Sequence, residues 1–130
     1  MRHMGRIYLT AIAAMLLSVT AIAQSLSYSQ AKARADESEG RLGASDTRLL
    51  IETQGKFAGS AFAQCIRQTG SSPSDFTVVV ELKADGRVKG SWLQGGTRFA
   101  QCFRDRMVAE FAFRPPSVPF FTSFEYTNAR

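Results

Sequence analysis

A run of alternating residues that ends in a glycine-containing turn constrains this fold more than any other feature of the sequence. Apolar and polar positions alternate from Phe76 to Lys83, and the chain then passes through Ala84-Asp85-Gly86. Such alternation is typical of a half-buried β-strand. A three-residue loop keeps the buried and exposed faces aligned after the turn, whereas a two-residue loop mixes them. We therefore predict a β-hairpin in which Gly86 is the left-handed residue of a G1 bulge.

The three-residue loop also fixes which residues face each other across the hairpin. The predicted pairs are Lys83 with Arg87, Glu81 with Lys89 and Val78 with Trp92. In this register the hairpin places one apolar face against a core and leaves the other face polar.

Helical segments are predicted on both sides of the hairpin. Ser45 is a possible cap for the first, but Gly55 and Gly59 interrupt it and disfavour a helix interior. Two interpretations stay open for residues 47–70: one irregular helix that runs through Cys65, or an extended stretch 48–54 followed by a helix over 56–68. The second helix is capped by Thr97 and runs to about residue 111, with Arg106 and Glu110 spaced for an i, i+4 ion pair.

A last strand completes the predicted fold. Pro115 and Pro116 end the helical stretch, and apolar and polar residues alternate again from Phe120 to Tyr126. The expected fold class is α+β, in the order α-β-β-α-β, with two helices packed on one face of a three-stranded antiparallel sheet. We expect this domain to span residues 44–130.

The N-terminal residues have the pattern of an export signal. Two arginines precede an apolar stretch from Ile7 to Val19, and Ala21-Ile22-Ala23 resembles a signal-peptidase site. We predict a signal peptide over 1–23 with cleavage before Gln24, and a periplasmic, exported protein. The alternative is an uncleaved membrane anchor. Residues 24–43 have few large apolar groups and are predicted to form a flexible leader.

Charge and composition argue against several function classes. Removal of residues 1–23 leaves 14 basic against 11 acidic residues, a net charge of +3. The sequence has no cluster of basic residues of the kind that binds nucleic acid, so we expect no nucleic-acid partner. The single histidine, His3, lies in the predicted signal. Without histidine or clustered acids we expect no catalytic site, no metal and no cofactor, and therefore not an enzyme.

The two cysteines, Cys65 and Cys102, lie one on each predicted helix. In an oxidising compartment a structural disulfide between them is the favoured interpretation. Two buried thiols remain an alternative. A redox pair is disfavoured because the C-x-x-C spacing is absent.

Several short motifs resemble the C-terminal domain of TonB-type proteins, closest to the cysteine-containing, AgmX-like subgroup. They span most of the folded part: Phe62-Ala63-Gln64-Cys65, Leu82-Lys83-Ala84-Asp85-Gly86-Arg87-Val88, Phe99-Ala100-Gln101-Cys102, Phe111-Ala112-Phe113-Arg114-Pro115 and Val118-Pro119-Phe120. Two features depart from the family: Phe111 stands where a tryptophan is usual, and the stretch between Cys102 and Phe111 is one residue longer.

The resemblance implies an envelope adaptor whose last strand takes up an extended partner peptide. The residues that would form this partner-binding edge are Phe120, Thr122, Ser123, Phe124 and Tyr126. An exposed edge strand is suited to strand addition. A protected edge and a homodimer contact are the alternatives at this strand. A different function class is a disulfide-braced inhibitor or immunity-type protein that contacts an enzyme through Arg104, Arg106 or the aromatic segment after the second helix.

Overall fold

The computed structural model describes residues 25–128. The elements, in chain order, are α1 (Tyr28–Gly40), α2 (Ala44–Thr69), β1 (Phe76–Leu82), β2 (Val88–Gln94), α3 (Arg98–Glu110) and β3 (Phe120–Tyr126). The three strands form one antiparallel sheet in the order β2-β1-β3. The predicted α+β class and its α-β-β-α-β order are confirmed for α2 onward.

The main core lies between the sheet and the pair α2 and α3. Alternate β1 residues, among them Val78 and Val80, are fully buried there together with Phe99 and Phe103. The predicted disulfide is confirmed: Cys65 on α2 is bonded to Cys102 on α3, with a Cα–Cα distance of 5.8 Å. Two helices therefore cover one face of the sheet and are tied together by a covalent bond.

Helix α2 settles the alternatives for residues 44–70 in favour of one continuous helix. Gly55 and Gly59 are tolerated because both lie on its exposed side, where an added Cβ would meet no other atom within 4 Å. The predicted cap at Ser45 is wrong, since Gly43 is the N-cap residue and makes no side-chain cap hydrogen bond. Thr97, by contrast, caps α3 as predicted, accepting a hydrogen bond from the backbone N–H of Ala100.

The prediction of a flexible leader over 24–43 is wrong, because Tyr28–Gly40 forms α1. Ser27 and Gln30 close a capping box at its start. The helix then covers the second face of the sheet, where Ala31 and Ala35 are fully buried in a small apolar cluster with Val79 and Phe121. Alanine adds little to an apolar periodicity, so the buried side of α1 is nearly invisible in the sequence. The predicted signal peptide lies outside the described residues.

The predicted turn at Gly86 is confirmed. Its φ of 92° is in the left-handed region, and an added Cβ would lie 2.8 Å from the backbone carbonyl of Phe113. The backbone N–H of Lys83 donates to the carbonyl of Arg87 at 2.8 Å, which closes the three-residue loop. Only glycine fits this position, because both the conformation and the space exclude a side chain.

Beyond the turn, the predicted register is wrong by one residue. A bulge between Glu81 and Leu82 places Glu81 opposite Gly90 and Val78 opposite Leu93. Lys89 is the extra residue of the bulge, although its ammonium group still reaches the carboxylate of Glu81 at 3.6 Å. The bulge places Trp92 opposite Val79, on the other face of the sheet from the predicted position opposite Val78.

Candidate binding edges of the sheet

The side chains predicted to bind a partner on β3 are mostly turned into the protein. Phe120 and Thr122 are buried, and Ser123 is half-buried. Phe124 and Tyr126 pack on the main core, with their rings 6.1 and 5.2 Å from that of Phe62. A partner at β3 would therefore have to bind the strand through its backbone.

Polar side chains of α1 accept hydrogen bonds from the backbone N–H groups of β3 that point away from β1. The N–H of Phe121 donates to the hydroxyl of Ser38 at 3.2 Å, and the N–H of Ser123 donates to the carboxylate of Glu39 at 2.8 Å. Ser38 and Glu39 lie in the last turn of α1, beside β3. They take the positions that the carbonyl groups of an added strand would take.

Helix α2 satisfies further polar groups of the same edge from the other face. The side-chain amide of Gln54 donates to the carbonyl of Ser123 at 3.2 Å and to the hydroxyl of Thr122 at 3.0 Å. That hydroxyl in turn donates to Glu39 at 2.8 Å. The expectation of an open edge on β3 is therefore wrong in this structure, because the helix that sequence analysis missed supplies most of its caps.

The hydrogen bonds at the outer edge of β3 also determine which residues of β1 direct their backbone N–H and C=O groups toward β2. Neighbouring residues of an antiparallel strand direct their N–H and C=O groups to opposite sides. The N–H of Phe121 and of Ser123 point away from β1, so their β1 partners, Glu81 and Val79, direct their backbone groups toward β2.

The outer edge of β2 is open. Gly90 and Trp92 are the β2 partners of Glu81 and Val79 and bond inward, which leaves the backbone groups of Ser91 and Leu93 pointing outward. Within residues 25–128 no hydrogen bond reaches the N–H or C=O of either residue on that side. Ser91 is partly exposed. This edge has the unpaired donors and acceptors that were expected on β3.

At the hairpin end, the segment that follows α3 closes the β2 edge. Ala112 forms an antiparallel bridge with Arg87, and the N–H of Phe113 donates to the carbonyl of Gly86 at 3.0 Å. The open stretch therefore runs from Lys89 to the end of β2 at Gln94.

Helix α3 overhangs this open stretch on one face. Cys102 faces α2 through the disulfide, so Arg104, about half a turn away, lies on the opposite flank of α3, whereas Ala100 on that flank is fully buried in the main core. Val108 continues that flank and is 44% exposed. On the other face, the indole N–H of Trp92 donates to the carbonyl of Leu26 at 2.7 Å. Along this edge β2 therefore contacts α3 on one face and the segment around Leu26 on the other.

A cleft of about 400 Å³ lies where the open edge meets the closed end. It is lined by Lys83, Arg87, Val88, Val108, Ala109, Glu110, Phe111 and Ala112. Glu110 is paired with Arg106 at 3.4 Å, as the i, i+4 spacing predicts. In the described part of the chain, Lys83 and Arg87 form no ion pair. The residues that line the cleft therefore include two cations, Lys83 and Arg87, against one acid, Glu110.

The contact residues of the inhibitor alternative are only partly accessible. Phe111 and Phe113 are buried in the main core. Arg106 is engaged with Glu110, and Arg104 with Asp105 at 3.0 Å. The aromatic segment after α3 thus serves packing and the closure of the β2 edge.

In the range 25–128, no three His, Cys, Asp or Glu side chains come together as metal ligands, and no helix is both long and apolar enough to span a membrane. The chain matches no protein-family model, and no curated protein or solved structure is significantly similar to it. The resemblance to TonB C-terminal domains therefore stays a prediction.

Proposed function

We propose that this protein is an exported interaction module of the cell envelope that binds an extended segment of a partner protein as a fourth strand beside β2. The observation that carries the proposal is that the outward backbone groups of Ser91 and Leu93 have no hydrogen-bond partner among residues 25–128. Backbone pairing of this kind supplies affinity in strand addition, and side chains along the groove supply specificity. The role is binding and not catalysis.

The proposal keeps the adaptor role that the TonB-like motifs imply but moves the binding edge. Strand addition at β3 would require Ser38, Glu39 and Gln54 to leave, whereas strand addition at β2 breaks no described hydrogen bond. Periplasmic location is supported by the signal-like pattern of residues 1–23 and by the disulfide, which is typical of oxidising compartments.

Paired photo-crosslinking in cells tests the binding edge. A photoreactive residue is placed at Lys89 on β2 or at Glu125 on β3, two exposed strand positions that each take part in one ion pair. We expect an envelope-protein adduct from position 89 and none from position 125, on a protein whose N-terminus begins at Gln24. The same adduct from position 125 alone would assign the binding edge to β3 and contradict the proposal.

The substitution Ser91→Pro provides the second arm of this test. Proline removes the outward N–H of Ser91 and leaves the inward hydrogen bonds of β2 in place. Glu125→Pro is the matched control, because Glu125 holds the equivalent outward position on β3. Loss of the adduct with the first variant and its retention with the second is the expected result.

A further inference from the structure

We infer that the segment bound at β2 is an acidic C-terminal tail of the partner, running antiparallel to β2 and ending in the cleft between the hairpin and α3. This inference rests on the proposed function and specifies the chemistry of its ligand. Its two arguments are the geometry of the closed end and the charge of the cleft.

The closed end limits how an added strand can continue. Because Ala112 occupies the edge opposite Arg87, a strand that follows β2 toward the hairpin must stop or turn away there. A strand antiparallel to β2 has its C-terminal end at that point, and a parallel strand has its N-terminal end there. A chain that ends at the cleft meets this limit without a turn.

The charge of the cleft selects the C-terminal end. Lys83 and Arg87 make no ion pair in the described part of the chain, and the nearby carboxylate of Asp85, which accepts the backbone N–H of Arg87 at 3.0 Å, pairs with neither cation. A terminal carboxylate would pair with the two cations, whereas a terminal ammonium would meet only one carboxylate, that of Glu110, which is already paired with Arg106.

The C-terminal end of α3, which faces Lys83 and Arg87 across the cleft, determines where the terminal carboxylate of the tail can lie. The last carbonyl groups of α3 carry a partial negative charge, and Glu110 stands beside them. The carboxylate therefore belongs on the hairpin side of the cleft. Val88 and Val108 line the space between the two walls, which suits an apolar side chain in the last residues of the tail.

Selection from a displayed library of random nonapeptides with free C-termini tests the inference, with Ser91→Pro as the counter-selected variant. We expect enrichment of peptides with acidic residues in their last three positions. For a selected peptide, amidation of its C-terminus should weaken binding about tenfold at low salt, and added salt should reduce this difference.

Charge reversal supplies a readout on the protein side. The double variant Lys83→Glu/Arg87→Glu should weaken binding of the free-acid peptide by about tenfold or more. The matched control is Arg48→Glu/Lys56→Glu, which changes the net charge equally at two exposed positions of α2 that form no ion pair within residues 25–128. It should leave binding within twofold.

The outcomes separate the two proposals. If amide and free acid bind equally and both charge-reversal variants behave alike, while Ser91→Pro still abolishes binding, strand addition stands and the acidic tail is contradicted. If no peptide is enriched relative to Ser91→Pro, strand addition at β2 fails and the tail fails with it.

Discussion

The two edge strands of the sheet have the same length and the same pairing partner, but they differ in whether their outward backbone groups are capped. Strands β2 and β3 have seven residues each and pair antiparallel with the same central strand. On β3, side chains from α1 and α2 bond two outward N–H groups and one carbonyl. On β2, the outward groups of Ser91 and Leu93 have no such partner in the described chain. The difference lies in the helices around the strands, and not in the strands themselves.

Natural proteins protect exposed edges because unpaired backbone groups invite association with other chains. Here polar caps protect one edge, whereas the described residues protect the other edge only at the hairpin end. The accessible edge therefore cannot be identified from the strand pattern alone.

The largest effect is expected from removal of the disulfide, which supports both edges at once. It ties α2, which carries Gln54, to α3, which overhangs β2, and closes a separation of 37 residues. The double variant Cys65→Ala/Cys102→Ala should lose about 3 to 4 kcal/mol of unfolding free energy in urea. Identical urea midpoints for oxidised and reduced wild type would contradict this expectation.

The next effect is local to the closed end of the β2 edge. Gly86→Val forces a β-branched residue into the left-handed region and against the backbone of Phe113, at a cost of at least about 2 kcal/mol. Gly90→Ala is the control on the same strand, since an added Cβ there lies 3.5 Å from the ring of Trp92, an ordinary contact. Equal urea midpoints for the two variants would refute the turn assignment.

A smaller effect is expected when the β3 edge is opened. Glu39→Ala leaves the N–H of Ser123 and the buried hydroxyl of Thr122 without their acceptor, which should cost about 1 to 2 kcal/mol. Glu37→Ala, which removes only an exposed ion pair with Arg41, should change stability by less than about 0.5 kcal/mol. The amide of Ser123 should exchange faster in the first variant alone; equal exchange in both would show that Glu39 is not its cap.

The smallest effect concerns the ion pairs of Lys32, which bonds to Asp36 within α1 and to Glu125 on β3 at 3.1 Å. The hydrogen bond to Asp36 raises the pKa of Lys32 above its ordinary value of 10.5; desolvation opposes this shift and Glu125 adds to it. A raised pKa means that the stabilising contribution is fully present below pH 10.5 and is lost as the pH rises through the folded-state pKa.

The comparison of wild type with Lys32→Met checks this pH dependence. We expect wild type to be more stable by less than about 1 kcal/mol at neutral pH, with the difference shrinking in the alkaline range. A difference that grows with pH would contradict the assigned sign.

Sequence reasoning predicted the features that depend on local chemistry. The strand that begins at Phe76, the left-handed turn at Gly86 and the Thr97 cap each depend on residues close in sequence, and all three are confirmed, although β1 is buried on both faces and not on one as predicted. The pairing of Cys65 with Cys102 followed from there being only two cysteines in a chain expected to be exported.

The predictions that were wrong concern features that depend on small buried residues or on contacts between residues far apart in the sequence. Helix α1 buries alanines, which hardly register as an apolar stripe, although Ser27 and Gln30 have the spacing of a capping box and could have revealed it. The β2 bulge adds one residue that no local motif marks. The closed β3 edge depends on contacts between residues more than 60 positions apart, such as Gln54 with Ser123, and no sequence pattern encodes them.

Residue-resolved amide hydrogen exchange of the wild-type protein tests the difference between the two edges most directly. Four outward amides are compared: Ser91 and Leu93 on β2, Phe121 and Ser123 on β3. We predict fast exchange at the first two, whose N–H groups have no partner among residues 25–128, and slow exchange at the last two, which are bonded to Ser38 and Glu39. Slow exchange at Ser91 and Leu93 together with fast exchange at Phe121 and Ser123 would contradict the account.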